Sequence, residues 1–179
     1  MRLNLLSKKV IGIAFSLIVI TALLSQPTTT AYANDPYLDS NIPTSAMTDK
    51  DIEAMNRHEI AWLLRQNQVF RDMYQLETDF QSLIDVQVKK RGEVPVLDIA
   101  LGTFDTALVI AQGVQDQAAK VIGAQYGFDA QGHVTNRDAA LQTVMDARYN
   151  LRDAHFRLVV AVRALHRSYA DWHYKIIHH

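Results

Sequence analysis

An all-α protein, a long antiparallel three-helix coiled coil or bundle behind an N-terminal signal peptide, is predicted by three observations on this sequence. Apolar residues recur at alternating spacings of three and four along three long stretches, Gly and Pro are scarce, and cysteine is absent. A period near 3.5 residues held over many turns is the seam of a coiled coil rather than the looser face of an ordinary helix. Scarce helix breakers leave stretches whose backbone only a helix can satisfy. Without cysteine, neither disulfides nor a thiolate metal site can hold the fold, so packing must. The 179 residues, 49% hydrophobic and 21% charged, fit one globular domain.

Residues 1–33 read as a secretory signal. Arg2, Lys8 and Lys9 form the positive end, Val10 to Leu24 the apolar stretch, and Ala31-Tyr32-Ala33 the cleavage site. The apolar run falls short of the roughly 20 residues of a spanning helix; retention as an anchor is the competing reading. Its removal takes away three positive charges and no acids, moving the formal charge from −1 to −4. Such a balance offers no basic stripe for nucleic acid.

Residues 34–47, with Pro36 and Pro43 and no sustained period, form a flexible leader. A three-helix domain over 48–179 follows, with helices at about 49–91, 95–126 and 135–177. Thr48 and Asp51 make a capping box with Asp in place of Glu. The first seam is Ile52, Met55, Glu59, Trp62, Gln66, Val69, Met73, Leu76, Phe80 and Leu83, with Glu59 and Gln66 as polar interruptions. Gly92 suits a helix C-cap and Pro95 the first turn of the next helix, and so short a link implies antiparallel neighbours. The second seam runs Leu97, Leu101, Phe104, Leu108, Ala111, Gln115, Ala118 and Ile122; Gly102, Gly113 and Gly123 are expected to narrow this helix so that neighbours approach closely. After a turn-rich connection at 127–134, Thr135 or Asn136 can cap the third helix. Its seam is Leu141, Val144, Arg148, Leu151, His155, Leu158, Val162, Leu165, Tyr169, Trp172 and Ile176, with Ala140, Ala147, Ala154 and Ala161 alongside.

Gly-Phe-Asp-x-x-Gly-x-Val-Thr-Asn at 127–136 and Ala-Arg-Tyr-Asn-Leu-Arg-Asp-Ala-His-Phe-Arg-Leu at 147–158 resemble a family of uncharacterised exported helical proteins. The likeness is carried by the C-terminal third and, elsewhere, by pattern. It implies an exported helical chain and brings no activity and no functional residues.

The candidate chemistry is sparse. His58-Glu59-Ile60-Ala61-Trp62 opens like a zinc-protease helix, but Trp62 stands where the second His is needed. Asp129, Gln131, Gly132 and Asp138 match part of a calcium loop whose first ligand is missing; a plain turn is the simpler reading. His155, His166 and His173 share one stripe of the third helix, yet chelation within a helix needs spacings of three or four. No cofactor or metal is therefore assigned, and Lys89-Lys90-Arg91 is a solvated helix end. Glu59, Gln66, Arg148 and His155 form a candidate polar core layer.

With the 92–94 turn as a mirror, Tyr126 should lie beside about residue 60, leaving Asp49 to Glu59 without a second-helix neighbour. A third helix starting at that level would project its last dozen or so residues, with Tyr169, Trp172 and Ile176 as a candidate interface for a protein partner or self-association. The reading is an exported, non-enzymatic binding or scaffolding protein of the cell envelope or exterior. The alternatives are a His-dependent metal or haem binder of the envelope, although no c-type haem motif exists without cysteine, and an envelope chaperone. Export predicts a mature chain beginning at Asn34, measurable as the intact mass of secreted material; Met1 to Ala33 retained in a membrane fraction would mean an anchor.

Overall fold

The computed structural model describes residues 47–178, with the His178 side chain excepted; the expected signal peptide and the expected leader up to residue 46 lie outside the described residues. Three helices make an all-α bundle: α1 is Asp49–Arg91, α2 Pro95–Ala124 and α3 Arg137–His178, of 43, 30 and 42 residues. The chain divides into two compact units, and each helix gives part of its length to both.

One unit holds α1 to Gln68 together with Ala111–Phe156. Here α1 opens on the capping box: the Thr48 amide donates to Asp51 Oδ2 at 2.7 Å, and the Asp51 amide to Thr48 Oγ1 at 3.3 Å. Those bonds satisfy amides that a helix start leaves without internal partners. The helix α2 runs opposite to α1, bringing Gln115 to Asn67 and Ala118 to Trp62. It stops at Ala124, two residues before the expected end, because Gln125 takes a left-handed φ of 50° and turns the chain.

The connection then descends beside the first turns of α1, where Ile52 and Met55 pack against no α2 residue. Phe128 packs with Ile52, Met55, Ala140 and Val144, and Met47, Val134 and Leu141 border that cluster. An antiparallel bridge joins Phe128 to Val134, whose amide donates to Glu53 Oε1 at 3.1 Å. Asn136 rather than Thr135 caps α3, its Oδ1 accepting from the Ala139 amide at 3.1 Å. In consequence α3 begins level with α1: Arg137 reaches Asp49 Oδ1 at 2.7 Å and also donates to the Met47 carbonyl.

The other unit comprises Val69–Ile110 and α3 from Arg157. Met73, Leu76, Phe80 and Leu83 of α1, Leu97, Leu101, Phe104 and Leu108 of α2, and Leu158, Val162 and Leu165 of α3 are buried, as the seams require. The exception is Val69, which is only half-buried, with Phe70 taking the buried place. Gly92 closes α1 at φ 85°, its amide donating to the Val88 carbonyl at 2.9 Å.

Two glycines of positive φ differ in what surrounds them. A Cβ on Gly92 would meet open space, but one on Gly127 would lie 2.1 Å from the Ala140 amide nitrogen and 2.5 Å from the Asn136 carbonyl oxygen. Gly92→Ala should cost about 1 kcal/mol, the penalty of a left-handed residue with a side chain. Gly127→Ala should cost at least about 3 kcal/mol, because backbone must move. Urea unfolding of the two variants checks the order; equal costs would mean that the connection does not hold Gly127 against α3.

Candidate functional site

Two groups of chemistry-bearing side chains emerge, one in each unit. The first begins at Glu59, which the 3.5-residue period places on the buried face of α1 and which is fully buried. A carboxylate removed from water is tolerable only with a charge partner and hydrogen bonds. Arg148 of α3 supplies both: its Nε donates to Glu59 Oε1 at 2.8 Å and its Nη2 to the same oxygen at 2.7 Å. His58 Nδ1 lies 3.3 Å from that oxygen from the rim, whereas Glu59 Oε2 accepts no hydrogen bond from the protein.

Gln66, two turns further along α1, donates from Nε2 to the Leu151 carbonyl at 3.3 Å. Gln115 of α2 donates to Asn67 Oδ1 at 2.6 Å. The Oε1 atoms of both glutamines are buried without a protein donor. Between these levels Trp62, Ala118 and Leu151 form an apolar cluster bordered by Leu63 and Ile122.

Of the four residues expected in one polar layer, Glu59 and Arg148 meet; Gln66 and His155 do not join them. Successive seam positions rise about 5 Å along an axis, so residues seven apart on one helix occupy separate layers. His155 has no place beside Glu59, whose donors are Arg148 and His58. It is half-buried, and burial pushes its imidazole below the ordinary histidine value. Buried Asn56 and Gln115 were missed as members of this polar set, although Gln115 occupies an α2 seam position as Gln66 does in α1.

Asp129 serves the turn: its Oδ1 accepts from the His133 amide at 2.8 Å and the Gln131 amide at 2.9 Å. Those backbone donors, His133 first, hold its carboxyl below the usual range. An open groove of about 480 Å³ lies between α2 and α3, lined by Lys120, Tyr126, Thr143 and Asp146 among others. Its polar side chains are partly engaged: Thr143 donates to the Tyr126 and Ala139 carbonyls, and Asp146 accepts from Gln142.

The second group lies near the end of α3. Tyr169 meets the fully buried Phe80 edge-on at 6.1 Å, stacks on His173 at 5.7 Å and approaches Trp172 at 5.9 Å. This corrects the expected projection. Eleven residues of α1 continue past Phe80 and nine of α3 past Tyr169, so the two helices end near one level. Tyr169, Trp172 and Ile176 are half-buried, while Tyr174 and Ile177 are exposed. The histidine stripe does not converge: His155 is half-buried, and His166 and His173 are exposed. Among the described residues no three His, Cys, Asp or Glu side chains are grouped to hold a metal ion.

Removing Arg148 alone should be far worse than removing the whole pair. Arg148→Met, which strands a buried carboxylate, should lower the unfolding free energy by about 3–5 kcal/mol, and adding Glu59→Leu should restore most of it. A double variant no better than the single one, in chemical denaturation, would deny the pair this role. His155 makes a separate prediction. Its folded pKa is depressed, so the unfolded state binds the proton first as pH falls, and stability is lost below the unfolded value near about 6.5. His155→Leu should flatten the fall in melting temperature between pH 7 and pH 5; an unchanged profile would remove His155 as its source. In comparisons with known proteins, no family model, curated protein or solved structure matches the chain.

Proposed function

We propose that this chain is an exported, non-enzymatic helical protein that binds or scaffolds a protein partner through the aromatic end of α3. The observation that carries the reading is the stacked set Tyr169, Trp172 and His173, anchored on Phe80 at one side and half open at the other. Large amphipathic rings already held by their neighbours lose little side-chain freedom on binding, which is why such anchors dominate interfaces. Exposed Tyr174 and Ile177 widen the apolar surface beside them. The polar side chains support the non-enzymatic part: Glu59 and Arg148 are closed into the core as a pair, and Asp129 is spent on its own turn. Export rests on the positive, apolar and small-residue segments of residues 1–33.

The test is capture from the envelope or medium of the producing cell. Trp172→Ala with Ile176→Ser should leave the melting temperature within a few degrees, because neither residue is fully buried. A partner retained by the parent chain should be reduced at least about tenfold by this variant, as expected when an aromatic anchor is lost. Equal retention by both proteins would move binding away from the end of α3.

A further inference from the structure

The helix α2 holds more apolar surface than the bundle buries. Its most apolar 18-residue stretch has a mean hydropathy of 1.4, yet only 33% of that stretch is buried. The excess is ordered. Ile99, Thr103, Thr106 and Ile110 lie on the outward face at spacings of four, three and four, a stripe that reads the same in either direction. All four are exposed, Ile99 by 70%.

The threonines make the stripe drier than their names suggest. Thr103 Oγ1 donates to the Ile99 carbonyl at 2.8 Å and Thr106 Oγ1 to the Gly102 carbonyl at 2.9 Å. With both hydroxyls bonded back to their own helix, the outer face presents methyl groups. Gly102 lies beside the stripe, and a Cβ there would meet nothing within 4 Å. This glycine therefore does not serve close packing inside the chain, contrary to the expectation from sequence.

We infer that this face is the contact of a two-fold homodimer in which α2 packs antiparallel against α2 of a second copy. A two-fold axis between residues 104 and 105 sets Ile99 against Ile110 of the second copy, and Thr103 against its Thr106. Spacings of three and four are those that antiparallel helices interdigitate, and a self-complementary patch is what an isologous contact requires.

Charge points the same way. The stripe carries no charged residue, and Lys120 is the only basic residue of α2, so nothing draws this face to anionic lipid. The nearest acids lie off the stripe, and Asp105 is on the α1 side, where burial first and the Asp105 charge second raise the Glu77 carboxyl. Two copies can therefore meet without opposing charges in the seam. From Val96 to Ile110 the face is about 21 Å long. A single-helix contact of that length is small beside the extensive interfaces of obligate dimers, so the dimer expected here is a reversible one.

The absence of cysteine makes the geometry directly testable. Sedimentation velocity of the protein recovered from the producing cell should show dimer growing with concentration across the micromolar range. Ile99→Lys should be monomeric at the same concentrations with unchanged helicity, since its side chain faces out. Thr103→Cys, close to the axis, should oxidise to a linked dimer. Ile110→Cys should not, because antiparallel packing separates the two copies of that residue by about 16 Å along the axis, whereas a mixture of Ile99→Cys and Ile110→Cys should link. A monomer throughout, linkage of Ile110→Cys as ready as that of Thr103→Cys, or a dimer that survives Ile99→Lys would overturn the proposal. So would flotation of monomeric protein with phosphatidylcholine–phosphatidylglycerol vesicles that Ile99→Lys abolishes, which would assign the face to lipid. None of these readouts involves Trp172, so the aromatic site stands or falls separately.

Discussion

A seam of apolar residues repeated every seven positions can slide. Shifting α3 along α1 by one heptad would again set aliphatic and aromatic side chains together, at little cost in buried area. The ion pair between Glu59 and Arg148 removes that freedom. After such a slip the buried carboxylate would face Leu141 or His155, and an uncompensated charge in the core costs more than any repacking of leucines recovers. Polar residues at seam positions are known for this use, trading stability for a single register. The remaining polar contacts in that unit agree with the register it sets. Gln66 reaches the Leu151 carbonyl and Arg137 reaches Asp49.

Register explains the unequal helix lengths. With α3 level with α1 at its start, a 30-residue α2 cannot cover a 43-residue α1, and the first turns of α1 would expose Ile52 and Met55 to water. The connection fills that place. It contributes one large apolar side chain, Phe128, and folds around it by a bridge, an Asp129 turn and glycines at positive φ. Its close approach to α3 is possible only because Gly127 has no side chain. A segment that looks like a plain linker is therefore part of the hydrophobic core.

The seams were legible in the sequence because they are a property of one helix at a time. Burial of nearly every seam residue from Ile52 to Leu83 follows from periodicity alone, as do the Thr48–Asp51 cap and the Gly92 stop. Relations between helices were not legible. Nothing in residues 125–136 shows that the chain descends before turning, since a turn-rich stretch with two glycines and a single Phe has no period. That one omission misplaced the start of α3 and gave its aromatic end a false projection. The polar core was half readable: a pattern shows that Glu59 and Arg148 are inside, whereas their pairing depends on the offset between two helices.

The outward face of α2 was hidden for a different reason. Small and apolar residues around most of a helix look from sequence like a helix enclosed on several sides, and the glycines look like a means to closer packing. Three helices, however, bury only about one face of each. The outer surfaces of α1 and α3 carry charges that keep them in water, among them Arg57, Arg65, Arg152 and Arg163. Between Pro95 and Gln115, α2 has only Asp98 and Asp105. Its exposed Ile and Val side chains thus exceed what one copy of the fold needs, and their back-bonded threonines leave few polar groups for water to solvate. A helix of this kind is stable on its inner face and incomplete on its outer one. The surface to be covered is dry, uncharged and symmetrical, properties that a second identical helix shares by construction.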